Sequence, residues 1–138
     1  MMSMNFYSYG VNFMQIYAVY FDTEIMKMNA EVLKLTADTS DALDKEIYHA
    51  LNATGYDFFD YSDEIAILVD DQGFFKQGLP VFEIESTYGD VNKLVGKLLF
   101  VRNIETEYSV DIGSITYEDI FKLRNELKIQ FVGFTKGA

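Results

Sequence analysis

The 138-residue sequence contains no cysteine, no tryptophan and a single proline. Without cysteine the chain forms no disulfide and offers neither a thiolate ligand for zinc nor a thiol nucleophile. No apolar run approaches the ~18 residues that a membrane-spanning helix needs. The segment Met1–Tyr9 has no basic residue of the kind that begins a secretion signal. These absences are compatible with a reducing cytoplasm, where we expect the protein to act.

Basic side chains are also scarce, because 11 Lys and Arg stand against 22 Asp and Glu, for a formal charge of −11 at pH 7. Binding to nucleic acid or to anionic lipid depends on Lys and Arg, so the composition argues against both as direct partners. The hydrophobic share of 49% excludes a disordered chain. A length of 138 residues predicts one domain over residues 1–138, with residues 1–11 as a candidate flexible N-terminal segment.

Hydrophobic periodicity predicts a sheet with two helices. A helix over Ser40–Leu51 has an apolar stripe and N-cap residues just before it, and a second helix opens at Thr116 with a sequence like a capping box. The range Glu24–Leu35 fits either a helical stripe or a strand, and we favour a strand over Glu31–Leu35. The other predicted strands are Asn12–Phe21, Glu64–Val69, Val81–Glu85, Lys97–Asn103 and Ile129–Phe134. The fold class is therefore α+β, a single compact domain with a mixed or antiparallel sheet of five or six strands.

The acidic residues are concentrated in two ranges of the chain. Seven lie between Glu46 and Phe75 and five between Asn103 and Phe121, and neither range contains Lys or Arg. The rest of the chain is close to neutral. Like charges that are close together repel each other and destabilise the fold, so their segregation indicates that a surface of one sign has a function. The alternative is that acidic loops simply keep a small domain soluble.

The segment Tyr56–Glu64 holds four aromatic rings and four carboxylates in nine residues. Aromatic anchors ringed by charge give protein interfaces both affinity and steering. In the alternative interpretation, some of these rings fill the core and the acids face water. We expect a surface loop that binds a protein partner, assisted by the second acidic range if the fold brings the two together. The predicted partner-binding residues are Tyr56, Asp57, Phe59, Asp60, Tyr61, Asp63, Glu64, Glu105, Glu107 and Asp111.

Little in the sequence indicates catalysis or a metal. His49, the one histidine, falls in the middle of the first predicted helix with no nucleophile to accompany it. Asp57, Asp60 and Asp63 recur at every third position, whereas EF-hand ligands alternate. No glycine-rich phosphate-binding motif is present. We therefore predict a protein without enzymatic activity, cofactor or metal.

Short motifs occur in a distinctive order from Met14 onward: Ile65–Val69 running into Asp70-Asp71-Gln72-Gly73, then Gly78-Leu79-Pro80, Gly96–Val101 and Ile115–Ile120. In this order the chain resembles, over about four-fifths of its length, a family of small, acidic, uncharacterised domains encoded by bacteriophages, prophages and other mobile elements. The resemblance implies the cytoplasm of a bacterial host. It also implies a role against host defence, because small acidic proteins of such elements often bind nucleases or the protein cradles of their guides, as many anti-CRISPR and anti-restriction proteins do.

Three hypotheses of function follow from these features. The first is a non-catalytic interaction protein that occupies and inhibits the basic groove of a nucleic-acid-handling host protein, with nucleic-acid mimicry as its means. The second is a small-molecule or nucleotide-binding module with a pocket of Tyr and Phe rings, since aromatic residues make up 16% of the chain. The third is a structural homo-oligomer joined through apolar strand edges such as Ile129–Phe134.

Overall fold

Nine β-strands and two α-helices make up the part of the chain that a computed structural model describes, residues 13–105 and 110–137. The candidate N-terminal segment 1–11 lies outside these residues. None of the described helices is long and apolar enough to cross a membrane. In chain order the elements are β1 (Met14–Asp22), β2 (Lys27–Leu35), α1 (Ser40–Leu51), β3 (Tyr56–Asp60), β4 (Ile65–Asp70), β5 (Gln77–Glu85), β6 (Val91–Val95), β7 (Leu98–Glu105), β8 (Val110–Gly113), α2 (Tyr117–Glu126) and β9 (Lys128–Lys136).

The strands form two antiparallel sheets. The larger has six strands in the order β2-β1-β7-β4-β3, with β8 also paired to β7, and the smaller has the order β6-β5-β9. The predicted α+β class, the two helices and the antiparallel sheet of six strands are confirmed. The second sheet of three strands is an addition, and it covers one face of the first.

The large sheet has a core on each face. On one face the stripe of α1, formed by Leu43, Ile47 and Leu51, packs on apolar residues of β1, β4 and β7. On the other face the small sheet and α2 pack, with Phe82 and Ile120 among the contacting residues. Both faces of β1, β4 and β7 are thus covered, which is why these strands read as nearly continuous apolar runs.

Both helices begin at the residues that the sequence predicts. The Thr39 side chain accepts a hydrogen bond from the backbone N–H of Ala42 (3.1 Å), and α1 ends at Asn52 in the left-handed conformation. At α2 a capping box forms, because Thr116 Oγ1 accepts from the Asp119 N–H and Asp119 Oδ2 accepts from the Thr116 N–H, both at 3.0 Å.

The structure corrects the prediction that Tyr56–Glu64 is a loop. Its first five residues form strand β3, at one end of the large sheet. Rings and carboxylates occupy both faces of this edge strand, so its sequence shows no alternation of apolar and polar residues. Strand β2 is longer than predicted and starts at Lys27, while β6 and β8 were not predicted.

Candidate interaction surface

Strand β3 presents a face of exposed side chains, and among the described strands its other edge is open. Of those strands it pairs with β4 alone, in a register that sets Phe58 opposite Leu68 and Asp60 opposite Ala66. Directly opposed residues of an antiparallel pair lie on the same face. Since Leu68 and Ala66 belong to the core under α1, the Phe58 and Asp60 side chains lie on the α1 side of the sheet.

Three aromatic rings join β3 to α1 on this side. The Tyr48 and Tyr56 ring centroids are 5.7 Å apart, and those of Tyr56 and Phe58 are also 5.7 Å apart. The Phe58 side chain is 51% exposed, although it is large and apolar. We call Asp44, Tyr48, Tyr56, Phe58 and Asp60 the acidic-aromatic face.

The two carboxylates of the acidic-aromatic face are held by neutral donors. The Tyr56 hydroxyl donates to Asp44 Oδ1 (2.8 Å), and Asn103 Nδ2 donates to Asp60 Oδ1 (3.3 Å). Neither carboxylate forms an ion pair with any of the residues that the structure describes. Burial, followed by the bond to Asp44, raises the pKa of Tyr56 well above its usual range. The phenol therefore stays protonated and remains the donor to Asp44.

Asp57 and Phe59 lie on the opposite face of β3. Their cross-strand partners are Val69 and Ile67, which belong to the core between the two sheets. Asp57 is exposed, whereas Phe59 is half-buried and packs against this core. The segment therefore does not present all its acids on one face, because successive side chains of a strand alternate.

The structure places Tyr61 in the core and Asp63 at the surface. Tyr61 is only 7% exposed and its ring packs edge-on against Phe100, with centroids 6.1 Å apart. Tyr61 was predicted to bind a partner, but it is not accessible to one, because it packs in the core beside the small sheet. Asp63 is exposed and accepts a hydrogen bond of 2.5 Å from the Tyr88 hydroxyl.

Arg102 forms ion pairs with two of the acidic side chains. Its Nη1 lies 3.0 Å from Glu64 Oε2, and its Nε lies 2.8 Å from Oδ2 of the buried Asp119. Burial would raise the pKa of Asp119, but the hydrogen bonds from Arg102 and Thr116 outweigh it and lower the pKa below its usual value. Glu64, a predicted partner-binding residue, is exposed and shares this single cation with Asp119, so the three side chains together keep one negative charge.

Part of the second acidic range meets the first, because Asp119 and Glu64 both pair with Arg102. Asp111 of β8 lies opposite Ile104 of β7. Its neighbour Ile112 is in the core under α1, so the Asp111 side chain lies on the other face of the sheet, away from Asp60. Glu105 ends β7, where only its backbone is described, and Glu107 lies outside the described residues. The fold does not bring Asp111 to the acidic-aromatic face, because β4 and β7 separate β8 from β3.

Sequence reasoning missed Asp44, Tyr48 and Phe58 as members of the surface. Asp44 and Tyr48 are four residues apart on α1, a spacing that sets both side chains on one side of the helix. That signal is visible in the sequence. The sequence does not show that this side of α1 contacts Tyr56, because that contact depends on the position of β3 beside β4.

The case for a functional site rests on the chain's own geometry. Within the described residues no group of three or more His, Asp or Glu side chains is arranged to hold a metal ion. His49 is exposed on α1. Comparison of the chain with family models, curated proteins and solved structures finds no match.

Proposed function

We propose that the protein is a non-catalytic interaction protein whose acidic-aromatic face occupies the basic groove of a nucleic-acid-handling protein and inhibits it. The observation that carries this proposal is the half-exposed Phe58 ring set between carboxylates that have no Lys or Arg partner among the described residues. Exposed apolar rings of this kind are typical anchors of interfaces.

A basic partner is favoured by both local and global charge. Asp44 and Asp60 flank the rings on one face of β3, while Asp57 extends from the other, so a partner that approaches the open edge meets carboxylates on both sides. The formal charge of −11 adds a long-range attraction that speeds encounter with a cationic surface. Flat rings between carboxylates also imitate the alternation of bases and phosphates, which supports nucleic-acid mimicry as the mode of inhibition.

The biological setting of the proposal rests on the resemblance to domains of bacteriophages and other mobile elements. In that setting the partner is a nuclease or a guide-binding protein of bacterial defence, and the protein acts in the cytoplasm of the host. The inhibited surface is then the one that otherwise holds DNA or RNA.

The proposal is tested by affinity capture from a bacterial lysate, with the bound proteins identified and quantified by mass spectrometry. We expect the captured proteins to be basic and to be released by duplex DNA, which competes for the same groove. Capture should fall steeply between 0.15 M and 1 M salt, because the screening length drops from about 8 Å to about 3 Å. Replacing Phe58 with alanine should weaken capture about tenfold or more, as loss of an interface anchor does.

Two charge-reversal variants distinguish an effect of the local surface on capture from an effect of the net charge. The double variant Asp57→Lys, Asp60→Lys alters the edge strand, whereas Glu24→Lys, Asp90→Lys makes the same change of charge at exposed positions in other loops. We expect only the first pair to abolish capture. Equal loss in both variants, or capture that is indifferent to salt and to DNA, would contradict the proposal.

The homo-oligomer hypothesis concerns a different edge of the fold. Strand β9 ends the small sheet, and its Val132 and Phe134 side chains are exposed. Assembly through this strand predicts a mass that rises with concentration in light scattering. It also predicts that Phe134→Ser abolishes the rise while Phe58→Ser leaves it intact.

A further inference from the structure

An open groove of about 590 Å³ lies between β2 and α2, on the face of the large sheet away from the acidic-aromatic face. Its size falls within the range of sites for small molecules. The apolar part of its walls is aliphatic: Met28 and Val32 come from β2, Ile120 and Leu123 from α2, Leu127 from the residue after α2, and Ile129 from β9. The β2 wall from Met28 to Val32 extends over four residue steps, or about 13 Å, so the groove is elongated.

A largely buried tyrosine lines the groove. Tyr17 of β1 is only 7% exposed, and its hydroxyl forms no hydrogen bond with any described residue. Burial raises the pKa of Tyr17, so the hydroxyl remains protonated at neutral pH and is a donor. Buried polar groups in folded proteins are nearly always hydrogen-bonded. At the wall of an open groove, the Tyr17 hydroxyl is a donor that a ligand can reach.

A cation accompanies that hydroxyl. Arg124 of α2 lines the same groove as Tyr17, and its charge lowers the pKa of Tyr17 against the larger effect of burial. Within the described ranges Arg124 makes no ion pair. The other charged lining residue, Glu31, lies opposite Ala18 on β2, and its carboxylate is 4.0 Å from the Lys97 ammonium on the α1 side. Arg124 is exposed, so its guanidinium and the Tyr17 hydroxyl are two donors that an anion in the groove can reach.

We propose that the groove binds an aliphatic monocarboxylate, whose carboxylate accepts hydrogen bonds from the Arg124 guanidinium and the Tyr17 hydroxyl. The alkyl chain lies along β2 between Met28 and Val32 and packs against α2. A nucleotide fits less well, since Tyr17 is the only ring among the lining residues and the one unpaired cation does not match several phosphate charges. Methionine and branched aliphatic walls instead match a flexible chain.

Isothermal titration calorimetry with decanoate tests the site, with decanol as the probe that has the same chain and no carboxylate. We expect saturable binding of one decanoate per chain and markedly weaker binding of decanol. Arg124→Gln should weaken decanoate binding about tenfold or more, because it removes a charge-assisted hydrogen bond, and should leave decanol unaffected. Tyr17→Phe, which keeps the ring, should weaken decanoate binding by a smaller factor.

Lys122→Gln is the matched control, because it removes one positive charge from an exposed position of the same helix outside the groove. It should bind decanoate as the unmodified protein does. Absence of binding at millimolar decanoate, equal affinity for decanol, or equal weakening by Arg124→Gln and Lys122→Gln would overturn the proposal. Circular dichroism of each variant confirms that a loss of binding is not a loss of fold.

Discussion

Replacing Phe100 with alanine is expected to lower the free energy of unfolding by about 3–5 kcal/mol. Phe100 is fully buried in β7, which lies between β1 and β4 in the large sheet. Its ring faces the small sheet, with centroids 6.1 Å from the rings of both Tyr17 and Tyr61. Alanine leaves a cavity there, because neighbouring strands are fixed by hydrogen bonds on both sides and cannot collapse into it.

Urea denaturation followed by circular dichroism measures this loss. Single domains are stable by roughly 5–15 kcal/mol, so the Phe100→Ala protein should unfold at a much lower urea concentration with a similar slope. Phe58→Ala is the matched control, since it makes the same chemical change at a half-exposed edge position and should cost about 1 kcal/mol or less. Similar losses in the two variants would show that Phe100 does not hold the sheets together.

Replacing Arg102 with methionine is expected to destabilise the fold by about 2–3 kcal/mol at pH 7. The change leaves the carboxylate of Asp119 buried without its cation, and broken buried ion pairs cost about 3–5 kcal/mol. We take a lower figure because the Arg102 side chain is partly exposed and Thr116 still donates to Asp119. Arg124→Met, at a cation without an ion pair among the described residues, should change stability by no more than about 0.5 kcal/mol.

The cost of Arg102→Met should depend on pH in a defined direction. The pKa of Asp119 is lower in the folded protein than the ordinary value of 3.8. A carboxylate of this kind contributes stability above its unfolded pKa, and the contribution is lost as pH falls through the folded pKa. The difference in unfolding free energy between the two proteins should therefore be full at pH 6–7 and shrink below about pH 4. A difference that stays constant or grows in acid would contradict the role of the pair.

The candidate surface was only partly predictable from the sequence. The density of rings and carboxylates in Tyr56–Glu64 marked the segment correctly as unusual. Its division between two faces and the core was not predictable, because the segment lacks the alternation that reveals a strand. Tyr56 and Tyr61, for example, are both flanked by an aspartate in the sequence. Tyr61 is nevertheless buried in the core beside the small sheet, whereas Tyr56 is half-exposed.

The two helices and the central strands follow from the sequence alone. Capping residues and the stripe of Leu43, Ile47 and Leu51 act over a few residues, and continuous apolar runs suffice to bury β4 and β7. Only the tertiary structure decided which acids pair with a basic side chain and which do not. Arg102 meets Asp119 seventeen residues away and Glu64 thirty-eight residues away, so the charge left on a surface depends on strand order and register. Strand order and register are set by how complete faces of sheets and helices pack against each other. A pattern of a few neighbouring residues does not contain that information.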